Sequence, residues 1–322
     1  MGKNPTLQRL KQTGEKAVEH AKKVSLPFFD DVPLYDVALF FWRSIVDGSI
    51  TTRASAIAFS FFMAFFPFVI FLFTLIPFIP LVFPYIPAED FQSELFDLIQ
   101  QVVPDQDTFK IIETTVDDIL NVPHGGLLSF GFLMALIFST NGLASMMSAF
   151  DATIHSIQRR SWISQRITAI YLLIILLVLL TVAIALLTGG QLFIQYLEEN
   201  DILRDSFLLG LLTIGKWIIT VALFFFAYAF LYYMAPAKKT KWRFISAGGT
   251  LATLLSIVTI AGFAYYINNF SQYNKIYGSL GTLLIILFLM YIMSLILLIG
   301  FELNASIYQA RSSREDWDDD LK

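Results

Sequence analysis

Residues 54–80 read ASAIAFSFFMAFFPFVIFLFTLIPFIP and hold no charged side chain. About 20 apolar residues cross the hydrocarbon of a bilayer, and a continuous uncharged run of this length is far commoner in membrane helices than in soluble cores. The stretch predicts a transmembrane helix over residues 54–76. Small residues recur at Ala56, Ser60 and Ala64, a spacing that lets a second helix approach closely, while Phe59, Phe62, Phe66 and Phe73 suit lipid tails. Pro67 lies inside the run and removes one backbone hydrogen bond, so a kink is expected there. Pro77, Pro80, Pro84 and Pro87 then end the helix.

The rest of the chain has the same character. Of its 322 residues 56% are hydrophobic and 32 are phenylalanine, a composition that excludes an ordinary soluble domain. No cysteine is present, which rules out disulfides, thiolate metal sites and a cysteine nucleophile. The first 30 residues lack the apolar core of a signal peptide, so the first span is expected to serve as the export signal. Residues 1–33 form a basic segment that either lies on anionic headgroups or is a solvated tail. Leu34, Val37, Ala38, Phe41, Trp42 and Ile45 share one helical face and predict a short interfacial helix ahead of the first span.

Residues 85–123 form an acidic segment. Nine Asp and Glu face the single base Lys110 between Glu89 and Asp118, and the scarcity of Lys and Arg places this loop outside. Helical periodicity on either side of Pro104 predicts two amphipathic helices in it. A second span follows over 127–150, with small residues Gly131, Ala135 and Ser139 and a polar break at Ser139-Thr140-Asn141-Gly142. His155, Arg159, Arg160 and Arg166 mark an inner loop, and spans three to six are expected over 167–188, 214–234, 244–267 and 277–300. The fifth repeats the small stripe as Gly248, Ala252 and Ser256. Lys238, Lys239, Lys241 and Arg243 form the most basic inner loop, and the acidic tail 309–322 is expected to be disordered beyond Ala310. The fold class is all-α: a polytopic membrane protein with six transmembrane helices (domain 34–308), interfacial and extracytoplasmic amphipathic helices, and both termini inside.

Three stretches carry a resemblance. AFSFFMAFFPF (Ala58 to Phe68), LYYMAPAKKTKWR (Leu231 to Arg243) and YNKIYGSLGTLLIILFLMYIMSLILLIGFELNA (Tyr273 to Ala305) resemble the YihY/BrkB family of bacterial membrane proteins. Two departures are Phe59, where many members have Tyr, and Asp151, where Asn is usual. The resemblance implies a six-helix protein of the bacterial plasma membrane, linked to envelope integrity and proposed to move lipids or other amphipathic solutes. Some members carry the label ribonuclease BN.

Nuclease chemistry needs a metal cluster or an acid/base pair beside a basic groove. His20, His124 and His155 fall in an inner tail, an outer loop and an inner loop, so they do not meet, and no enzyme, cofactor, metal site or nucleic-acid partner is expected. A transport path is expected where helices are interrupted: Ser60 and Pro67 in the first span, Thr140 and Asn141 in the second, and Tyr277, Gly278 and Gly281 at the start of the sixth. Asp151, Glu302 and Asn304 fall at inner helix ends as polar anchors, with Glu302 and Asn304 read as a hydrogen-bonded pair. Lys216 with Trp217 reads as an outer interface anchor or, alternatively, as a buried cation site. Membrane lipids are the expected partners. A non-catalytic scaffold binding envelope-biogenesis proteins is the rival reading.

Overall fold

The computed structural model describes residues 22, 24–26, 28–30, 32–47, 49–75, 127–153, 160–199, 206–237, 244–269 and 279–320, and six positions between 93 and 114. The described residues are mostly helical, with no strand among them. Eight helices are given end to end by the described residues: α1 (Leu34–Asp47), α2 (Ile50–Leu75), α3 (Leu127–Ser139), α4 (Asn141–Thr153), α5 (Trp162–Glu199), α6 (Ser206–Met234), α7 (Ala247–Asn269) and α8 (Ser279–Asp320). Among the described residues six stretches are long and apolar enough to cross a membrane: 50–68, 133–153, 162–183, 214–234, 247–266 and 283–313.

An apolar helical stretch overlaps each of the six expected spans; the fourth, 214–234, keeps its ends and the others shift. The second is two helices, α3 and α4, because the chain breaks at Thr140 as its polar cluster predicts. The third starts at Trp162, which brings Arg166 inside the helix and not into the preceding loop. The fifth starts at Ala247 because Ser246 caps it, accepting from the Gly249 amide at 3.2 Å. The sixth does not stop at Gly300: α8 runs to Asp320, through the tail expected to be disordered beyond Ala310. Ile307 and Ala310 pack on Phe29, Val32 and Val37, so the chain around α1 gives this extension an apolar partner. The same packing corrects the face assigned to α1. Val37 is buried, whereas Ala38 and Trp42 point away from the protein beside Leu39 and Val46.

The spans form a ring. α2 packs on α3 and α4, α4 on α5, α5 on α6, α6 on α7, α7 on α8, and α8 returns to α2. Close approach is built by small residues. A methyl group on Gly300 would lie 2.6 Å from the Gly248 carbonyl oxygen and 2.9 Å from the Ala252 side chain, so α7 and α8 touch backbone to backbone. Ala252 and Ser256 are fully buried along the expected stripe, and Ala135 and Ser139 are buried on the second span. In α2 the stripe is different: Ala54, Ile57, Ala58 and Ala64 are buried, and Ala56 is exposed. Phe59 and Phe66 face outward as expected. The helix passes through Pro67.

Burial is uneven along the ring. The core gathers where α2 and α7 begin, α4 and α6 end, and α8 passes Phe301. At the other end α7 is exposed on consecutive positions Ile260, Ala261 and Gly262, then Ala264, Tyr265 and Tyr266. Thr259 and Phe263, four residues apart, are half-buried, so one face of α7 stays covered there while the rest of its surface is exposed. A methyl group added at Gly190, Gly210, Gly215 or Gly262 would meet nothing within 4 Å among the described residues. Among the described residues one end is densely packed and the other sparsely.

Of the acidic segment, residues 93, 96, 109, 110, 113 and 114 are described, all helical. The Phe96 and Phe109 rings meet edge to face at 6.1 Å, one from each side of Pro104.

Candidate functional site

At the packed end a polar layer closes the ring. Arg53 stands in the first turn of α2, and its Nη2 donates to Glu302 Oε1 of α8 at 2.6 Å. Nη1 donates to Thr153 Oγ1 and to the Ala149 carbonyl, both on α4. Thr153 Oγ1 also donates to Glu302 Oε1 at 2.8 Å, and Ser44 of α1 donates to Oε2. Glu302 is only 1% exposed, so its carboxylate has exchanged water for three donors on three helices. A carboxylate buried this way is tolerated only when paired and hydrogen-bonded. Arg53 Nε and Ser306 Oγ are buried with no partner among the described residues.

Beneath this pair lies an aromatic plug. The rings of Phe150 (α4) and Phe301 (α8) stack at 3.8 Å and 2°, and Tyr232 of α6 meets both edge-on at 5.8 and 5.9 Å. Tyr232 donates its hydroxyl to the Leu297 carbonyl at 2.8 Å, which satisfies its buried polar tip. Phe150 and Phe301 are fully buried.

The loop after α6 is tied to the same layer. Arg160 donates to the carbonyls of Met234, Ala235 and Pro236 at 2.9–3.3 Å, so a cation caps the negative end of α6. Asp151 accepts from the Ala237 amide at 2.8 Å. That bond needs an acceptor oxygen only, which an Asn would also supply. Asn304 accepts from the Gly248 amide at 2.8 Å and donates to Ser246 Oγ at 3.0 Å, fixing the start of α7. Glu302 and Asn304 therefore do not form the expected pair. Two residues apart on a helix, they point about 200° apart and serve different neighbours.

The expected path residues are placed as follows. Ser60 is half-buried on α2, and Pro67 lies one to two turns further along. Thr140 is fully buried and donates to the Ile137 carbonyl at 2.7 Å; Arg166 Nη1 donates to Thr140 Oγ1 at 3.0 Å and to Asn141 Oδ1 at 2.7 Å. The break in the second span is thus satisfied by an arginine of α5. Gly281 lies in the first turn of α8, while Tyr277 and Gly278 lie outside the described residues. Trp217 is 62% exposed on α6 beside a half-buried Lys216. The sequence reading does not single out Arg53, Ser44, Thr153 or Tyr232, and it takes Arg166 only as a base of an inner loop. Arg53 directly precedes the uncharged run, and its position one turn inside a helix that starts at Ile50 was the missed signal.

Among the described residues no group of three His, Cys, Asp or Glu is gathered as a metal site. His20, His124 and His155 lie outside them.

The family profile described as "Virulence factor BrkB" matches residues 41–320, which takes in every span and the polar layer from Ser44 to Glu302 and starts within α1. The chain belongs to the BrkB family. A ribonuclease-like protein, YfkH, of Bacillus subtilis is 26% identical over 81% of this chain and 90% of its own length. A UPF0761 membrane protein of Psychromonas ingrahamii is 26% identical over 88% of this chain and 91% of its own. One from Vibrio campbellii is 33% identical over 39% of this chain and 37% of its own. No solved structure matches. This BrkB-family chain is an integral membrane protein, and the stretches that carried the resemblance meet in the packed end: Tyr232 and Pro236 from one, Gly300 to Asn304 from another.

Proposed function

We propose that this BrkB-family protein moves lipids or other amphipathic solutes, and that the layer around Arg53 and Glu302 is its closed gate. The observation that carries the reading is the difference between the two ends of the ring. Phe150, Phe301 and Tyr232 fill one end, and at the other four glycines have no neighbour within 4 Å of an added methyl group among the described residues. The exposed residues there are Val258, Ile260, Tyr265 and Tyr266, an apolar wall with hydroxyl groups at its rim, which suits acyl chains below a headgroup. Lys and Arg cluster at the packed end, so that end is assigned to the cytoplasm.

The test is reconstitution. Purified protein goes into liposomes that carry a fluorescent phospholipid in both leaflets, and a membrane-impermeant quencher is added outside. Movement between leaflets exposes label beyond the outer-leaflet fraction. Quenching equal to protein-free vesicles, with the phospholipid and with a lipid-linked sugar alike, overturns translocation and leaves the scaffold reading.

A further inference from the structure

The guanidinium of Arg166 is held by one nitrogen. Nη1 reaches the Ile137 carbonyl, Thr140 Oγ1 and Asn141 Oδ1, at 3.3, 3.0 and 2.7 Å, and these are all the hydrogen bonds the side chain makes among the described residues. Nε and Nη2 carry three further N–H donors. No carboxylate pairs with Arg166 among the described residues, unlike Arg53, whose charge is met by Glu302. Plugging the helix break would need one donor nitrogen. Arg166 brings a charge and a second edge besides.

Its surroundings say where that edge sits. Trp162, one turn earlier on α5, has its ring 5.5 Å from the guanidinium carbon and is 63% exposed. Ile163, Ile167 and Tyr171 continue the outward face of the same helix. Arg166 is half-buried at the flank of this stripe, about 6 Å along the axis from the start of α5 at ~1.5 Å per residue. Trp is favoured at the level of lipid headgroups, and an arginine fork matches a phosphate with two parallel N–H groups. The span begins at Trp162, which puts the guanidinium within side-chain reach of that level.

We propose that Arg166 and Trp162 form a binding site for a phosphate anion, presented by an anionic phospholipid of the leaflet at the packed end. Nη2 and Nε take the phosphate, the Trp162 ring holds the guanidinium plane, and the Asn141 and Thr140 bonds fix its direction. The site lies on the outer flank of the ring, apart from the gate, and it stands whether or not the protein moves lipid.

The test uses full-length protein purified from phosphatidylcholine nanodiscs with and without phosphatidylglycerol, with bound lipid counted by native mass spectrometry. Wild type is expected to retain phosphatidylglycerol, with at least tenfold weaker retention in Arg166→Gln and in Trp162→Leu. Trp162→Leu leaves the helix break untouched, so it reads the site even where Arg166→Gln fails to fold. Arg43→Gln, an exposed arginine on α1, is expected to match wild type. Retention that survives an excess of inorganic phosphate supports the lipid source; displacement by inorganic phosphate supports the same site with a soluble anion. Equal retention in wild type, Trp162→Leu and Arg43→Gln overturns the proposal.

Discussion

Arg53 and Glu302 are separated by 249 residues of chain, and their side chains meet at 2.6 Å where the first and last spans close the ring. The pair does more than join two helices. Through Thr153 and Ser44 the same carboxylate holds α4 and α1, so removing either charge strands the other in a nearly dry layer. Breaking a buried pair from one side costs about 3–5 kcal/mol, whereas replacing both partners with apolar residues of similar size is often neutral. Glu302→Ala and Arg53→Ala are each expected to lower the melting temperature in detergent markedly, and Arg53→Met with Glu302→Leu to recover most of the loss. Additive losses in the double variant would count against a coupled pair.

Ser306 gives the opposite expectation. Its hydroxyl is buried without a partner among the described residues, one turn beyond Glu302 on α8. An unsatisfied buried hydroxyl costs about 1–3 kcal/mol of desolvation. Ser306→Ala should leave thermal stability unchanged or raise it. A clear drop would mean that the hydroxyl has an acceptor.

The glycines divide by the end they occupy. Gly300 lies against Tyr232 and the Gly248 backbone, and neither backbone can withdraw without separating α7 from α8. Gly300→Val and Gly248→Val are expected to abolish folded expression, with Gly262→Val at the open end close to wild type. Overpacking a tight contact costs about 1–3 kcal/mol or more, and open space costs nothing of the kind. Equal expression of all three variants, measured by size-exclusion chromatography of detergent extracts, would contradict the packed and open ends.

Orientation follows from charge. With no native cysteine, single cysteines report cleanly. A cysteine at Lys239 should resist an impermeant maleimide in intact cells, and one at Asp105 should react. Labelling at 239 from outside would invert the assignment of the packed end to the cytoplasm.

Much of the fold is legible in the sequence because membrane helices declare themselves by uncharged length, and each of the six apolar runs is a helix of the ring. The break at Thr140 is legible for a similar reason, since Ser, Thr, Asn and Gly together interrupt an apolar run. The gate is not. A span counted as about 20 residues from Tyr277 ends at Gly300, which leaves Glu302 looking like an interfacial residue. Only the continuation of α8 to Asp320 shows it to be inside. Arg53 has the same difficulty, and no local spacing links it to a partner 249 positions away. Arg166 reads as one more basic loop residue until α5 is seen to begin at Trp162.

Under the proposed function the packed end opens for lipid to pass. Phe150 and Phe301, whose rings stack at 3.8 Å, offer the place to hold it shut. Cysteines replacing both are joined by a short bis-methanethiosulfonate reagent in proteoliposomes, and leaflet exchange of fluorescent phospholipid is followed before and after reduction. Exchange is expected in the unlinked protein, to stop on linking and to return with reductant. Exchange that runs at one rate in the linked and reduced states would contradict the account.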